Sequence, residues 1–105
     1  MVEYHAAYYQ GEEGWLVAQV LDFPGAASQG RTLRSARKMI RDALREMAQA
    51  LIEDGQSLPA PNPKARDHKA LFQEKLALTI RVQGNQKNET AKALATPAKV
   101  RLQRL

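Results

Sequence analysis

No cysteine occurs among the 105 residues of the chain, and this absence excludes several kinds of chemistry at once. A disulfide framework, a thiolate zinc or iron–sulfur site and a thiol nucleophile are all ruled out. Long apolar runs are missing too, since nothing approaches the roughly 18 residues that a membrane span needs. The opening MVEYHAAYYQ has neither a basic leader nor the apolar stretch of a signal peptide, so a cytoplasmic location is expected and a membrane partner is not. Acids are scarce toward the far end. Residues 84–105 hold Lys87, Lys92, Lys99, Arg101 and Arg104 against Glu89 alone, a net +4, which leaves +1 to residues 1–83.

What is present suits one folded domain. A hydrophobic content of 44% with 26% charged residues is ordinary for a globular protein and too apolar for a wholly disordered one. Residues 2–10 alternate, with Val2, Tyr4, Ala6 and Tyr8 on one side and Glu3, His5, Ala7 and Tyr9 on the other, the period of a strand. The cluster Gly11-Glu12-Glu13-Gly14 reads as a hairpin turn, and Trp15 to Phe23 (WLVAQVLDF) as the second strand, central in the sheet because both of its faces are partly apolar. Pro24 has no N–H to donate and Gly25 tolerates positive φ, so the strand is expected to stop there. Ala26 to Gln29 leaves room for a short return strand before Gly30.

From Thr32 to Asp54 the apolar residues Leu33, Ala36, Ile40, Leu44, Met47 and Leu51 recur at spacings of three and four, which predicts an amphipathic helix of about six turns. The Thr32 hydroxyl is placed to cap its first turn and Gly55 to close its last in the left-handed conformation. Arg34, Arg37, Lys38, Arg41 and Arg45, with Asp42, make a mostly cationic band on the remaining surface that reads as a solvated helix face. Residues 56–70 carry Pro59, Pro61 and Pro63 and predict an extended connector. Leu76, Leu78, Ile80 and Val82 then alternate with Ala77, Thr79 and Arg81 as a further strand. A helical reading through Leu71, Phe72, Lys75, Leu76 and Thr79 competes with it, against the β-branched Thr79, Ile80 and Val82. The order strand, strand, strand, helix, strand predicts an α+β two-layer sandwich, a small antiparallel sheet with one long helix packed on one face.

Catalytic patterns are weak. Glu12, Glu13, Asp22, Glu53 and Asp54 fall in a turn, a strand end and a helix end, places where acids are commonly solvated rather than paired for acid–base work. His5 and His68 lack a metal-ligand spacing, and Ser28, Ser35 and Ser57 sit in no nucleophile elbow. Gly25 and Gly30 before a helix match neither a dinucleotide nor a Walker phosphate loop. No enzyme activity, cofactor, metal or small-molecule substrate is expected.

The ordered set of Gly14-Trp15, an alternating strand, Asp22-Phe23-Pro24-Gly25, Gln29-Gly30-Arg31-Thr32, a long amphipathic helix and Leu58-Pro59-Ala60-Pro61 resembles the HicB antitoxin domain. That family's run is a Gly-Tyr strand, a Pro-x-Leu-Pro-Gly turn, a Gly-x-Thr helix start and a late Pro-x-Pro. The likeness covers residues 2–83. Two positions depart from it: Ala26 stands where the family commonly has cysteine, and Arg31 where it has an acid. The resemblance implies a partial ribonuclease H fold without catalytic acids, in residues 1–83 including the connector 56–70. It also implies binding and occlusion of a HicA-type toxin that cleaves messenger RNA, and homodimers or higher homo-oligomers. Pro24, Gly25, Gly30, Thr32 and Gly55 are the expected structural residues, and Trp15, Asp22 and Phe23 the candidate toxin contacts. Many members carry a C-terminal module that binds operator DNA. Here residues 84–105 are too short for a full module and read as a basic tail, with Lys99, Arg101 and Arg104 as its candidate phosphate contacts. A free-standing nucleic-acid-binding or regulatory domain using that tail is the alternative function.

Overall fold

The sheet grows from its hairpin. A computed structural model describes residues 1–79; the tail with Lys99, Arg101 and Arg104, and the strand expectation at Ile80 and Val82, lie outside the described residues. Strand β1 (Val2–Gln10) pairs antiparallel with β2 (Leu16–Val20), in a register that sets Ala6 opposite Val20 and Gln10 opposite Leu16. The turn between them closes with the Trp15 N–H donating to the Glu12 carbonyl at 3.1 Å. Its two central residues, Glu13 (φ 55°) and Gly14 (φ 82°), both take positive φ, the hand that matches strand twist. β3 (Ala27–Gly30) adds to β2 and β4 (Phe72–Leu78) to β1, giving the antiparallel order β3-β2-β1-β4.

The described residues fall into two compact units, Met1–Arg45 with Pro59–Thr79, and Glu46–Leu58. Helix α1 (Leu33–Glu53) begins in the first. There, Ala36, Ile40 and Leu44 are buried together with Tyr4, Ala6, Tyr8, Ala18, Val20, Leu76 and Leu78, the side chains that the strand registers place on one sheet face. Burying an isoleucine or leucine in this way contributes roughly 1.5–3 kcal/mol. In the second unit Gly55 (φ 74°) ends the helix. Its N–H donates to the Ile52 carbonyl and that of Gln56 to the Leu51 carbonyl, the paired bonds of a Schellman cap.

The opposite sheet face is not left to solvent. Ala7 is fully buried there, because the proline-bearing connector lies along it. The Asn62 N–H donates to Asp22, the Gln73 amide donates to the Ala65 carbonyl at 2.8 Å, and the Tyr9 hydroxyl donates to Asp67 at 2.7 Å.

Two boundaries differ from the sequence expectation by more than one residue. β2 ends at Val20 rather than Phe23, because the Leu21 N–H takes the last ladder bond, to the His5 carbonyl, and the Asp22 side chain then substitutes for the backbone. β4 starts at Phe72, earlier than the alternation from Leu76 indicates. Pairing with β1 from Val2 to Tyr8 recruits Phe72, Gln73 and Glu74, so the strand reading holds for 72–78 and the helical one does not.

Candidate interaction surface

The segment Leu21–Thr32 is built by turns. Pro24 and Gly25 are the central residues of a turn closed by the Ala26 N–H to the Phe23 carbonyl at 3.1 Å, with Gly25 at φ 92°. Proline then glycine with positive φ is the type II pattern. Gly30 has a different reason to be glycine: an added Cβ would lie 2.4 Å from the Ala36 nitrogen and 2.6 Å from the Ser35 hydroxyl. The last residue of β3 thus sits directly beneath the first turn of α1. Thr32 caps that turn, its hydroxyl accepting from the Ser35 N–H at 3.0 Å.

The candidate contact residues separate by location. Phe23 is buried, edge-on to Tyr4 with ring centroids 5.2 Å apart. The Asp22 carboxylate is 3% exposed and accepts three bonds: from the His5 N–H and His5 Nδ1, each at 2.8 Å, and from the Asn62 N–H at 2.9 Å. Burial pushes its pKa up, but the Asn62 and His5 bonds outweigh that and hold it below the usual aspartate value. Both side chains are committed to the fold. Trp15 remains half-exposed, with the Arg31 guanidinium 4.5 Å above its ring.

Other polar groups are similarly occupied. Glu74 receives a two-pronged bond from Arg37 at 2.9 and 3.0 Å and a third from the Tyr8 hydroxyl at 2.7 Å. Arg37 holds its carboxyl below the usual range, while burial and the Glu74 bond push the Tyr8 phenol up. The Tyr9 hydroxyl donates to Asp67, and burial together with that bond raises it to about 12. Asp67 is lowered, first by the Lys69 N–H and then by Tyr9. A general acid needs a carboxyl tuned upward toward working pH, and each of these is tuned downward. Among the described residues no group of three or more His, Asp or Glu side chains is placed to hold a metal ion, and no helix is long and apolar enough to cross a membrane.

The His5–Asp22 pair joins a histidine on a strand to an acid past a strand end, and neither residue carries a signal by itself. The hairpin register alone does not give the pair, since Ala6 opposite Val20 continues to Leu21 opposite His5; the turn after Val20 brings Asp22 to His5. The Tyr8–Glu74–Arg37 cluster has no local signal either, as it joins three elements across as many as 66 residues.

No family model matches the sequence, and no curated protein does. Among solved structures, the chain has the fold of the N-terminal domain of the antitoxin HicB from Burkholderia pseudomallei, with a TM-score of 0.64 and 22% identity over 75% of this chain and 100% of that one. The full B. pseudomallei antitoxin HicB aligns with a TM-score of 0.61 and 19% identity over 100% of this chain and 76% of the other.

Proposed function

We propose that this chain is an antitoxin that neutralises a HicA-type, messenger-RNA-cleaving toxin in the cytoplasm by covering its RNA-facing surface, without catalysis of its own. The observation that carries the reading is the fold match over the entire HicB N-terminal domain. The charge pattern supports it as well. A ribonuclease grips RNA through cations, and an occluding partner does best with acids. Residues 1–30 hold Glu3, Glu12, Glu13 and Asp22 and no Lys or Arg. Since Asp22 is spent inside, the proposed contact is the exposed turn at Glu12 and Glu13 with neighbouring Trp15.

Homo-oligomerisation is part of the same reading. Among the described residues β3 and β4 are the sheet edges, and unpaired edges are templates for a second copy. The charge excess in residues 84–105 favours, as a second reading, nucleic-acid binding through Lys99, Arg101 and Arg104, with operator DNA as the target. Co-expression with the small open reading frame next to its gene tests the antitoxin reading. The neighbour should arrest growth alone and be silenced by, and co-purify with, this chain; a harmless neighbour, or one that does not co-purify, contradicts it.

A further inference from the structure

Residues 1–79 balance ten Lys and Arg with ten Asp and Glu, yet the two signs are segregated. Six of the ten cations, Arg31, Arg34, Arg37, Lys38, Arg41 and Arg45, fall within fifteen residues that contain Asp42 as their single acid, a local net charge of +5. Arg37 is turned to Glu74. Arg31 lies over Trp15, and the other four remain outward: Lys38 and Arg45 share the one Asp42 carboxylate at 2.9 and 3.3 Å, with side chains 69% and 58% exposed. Arg34 and Arg41 are exposed and make no ion pair among the described residues.

The spacing aligns them. Positions 34, 38, 41 and 45 step by four, three and four, which keeps side chains on one helix flank. At 1.5 Å per residue the row is about 16 Å long. Arg34, in the first turn of α1, also runs against helix stability. The N-terminal end of a helix carries about half a positive charge, and each cation in the first turn costs roughly 0.3–1 kcal/mol. Yet α1 has no acid in its first turn and no base in its last. A local rule broken without a compensating contact marks a functional position.

We propose that the Arg34–Lys38–Arg41–Arg45 row is a docking surface for the phosphate backbone of duplex DNA, separate from the toxin contact and independent of the basic tail. Charge complementarity selects a polyanion. The absence of a stacking platform selects a duplex over a single strand, since single-strand binders stack bases on open aromatic faces. Helix α1 carries no aromatic residue beside the row; Tyr4, Tyr8 and Phe23 are buried, Tyr9 is tied to Asp67, Trp15 lies beneath Arg31, and Phe72, 38% exposed, has one face stacked on Tyr8 at 4.7 Å. A duplex presents a charge every 1.7 Å or so along its axis, dense enough to meet all four cations. No base readout is built into the row, so binding is non-specific in sequence.

The test is fluorescence anisotropy on the full chain with a short labelled DNA duplex across about 50–200 mM salt. Arg34→Gln/Arg41→Gln should bind about ten- to a hundredfold more weakly near 0.1 M salt, with a log–log salt slope flatter by about 2. Arg34→Lys/Arg41→Lys should bind nearly as the parent chain does, since charge is what counts. Lys64→Gln/Lys69→Gln, which removes two exposed connector cations, serves as the charge-matched control and should change affinity within about threefold. An unchanged affinity and slope for Arg34→Gln/Arg41→Gln overturns the proposal, as does an equal loss in the control. Tighter binding to a single-stranded RNA of the same length, or to polyglutamate, through the same two arginines also overturns it.

Discussion

Single side chains bear unusually sharp constraints in this domain. Gly30 is required for closeness, not for φ: a Cβ 2.4 Å from the Ala36 nitrogen has backbone in its way and no flexible group to displace. Gly30→Ala should therefore destabilise the chain by about 2–3 kcal/mol or more, as overpacking does, measured by the urea midpoint. Asp22 makes a pH-dependent contribution. Its folded pKa is lowered, so its stabilisation is fully present above the unfolded value of about 3.9 and is lost as pH falls through the folded value. Asp22→Asn should cost about 1.5–3 kcal/mol at pH 7. The gap between variant and parent should close below about pH 4, which thermal melts across that range would show; a gap independent of pH would place the effect elsewhere.

At the level of elements, the cap and the turns explain why so much was legible. Thr32 has no competing role, and its hydroxyl bonds the Ser35 N–H. Thr32→Ala should cost about 1 kcal/mol and Thr32→Ser almost nothing, read from the same urea transitions. Local chemistry of this kind, with Pro24-Gly25, Gly55 and the α1 periodicity, is written within a few neighbouring residues, so sequence alone located β1, β3, the helix and its ends. Where sequence failed, the determinants were distant. β2 is cut short where the His5 N–H, seventeen residues away, donates to the Asp22 side chain instead, and β4 is extended by pairing with β1 from Val2 to Tyr8. The candidate site was legible only in part. Trp15 keeps an exposed flank, whereas Asp22 and Phe23 turn inward for reasons visible only once the hairpin and the connector are folded together.

Across the whole described domain, charge segregation ties structure to proposed role. Residues 1–30 expose Glu3, Glu12 and Glu13 and hold no Lys or Arg, while the cations gather on the first half of α1, and the proposed roles assign these unlike surfaces to unlike partners. Reversing the turn charge with Glu12→Lys/Glu13→Lys should leave the urea midpoint almost unchanged, as the two side chains are exposed, while weakening toxin capture by about tenfold or more. Unaltered capture would move the contact away from the hairpin. The central claim itself is tested most directly by titrating the purified chain into an RNA-cleavage assay of the protein encoded by the neighbouring small reading frame. Occlusion predicts that cleavage falls linearly to zero at a fixed stoichiometric ratio; cleavage that persists with the chain in large excess would contradict the antitoxin account.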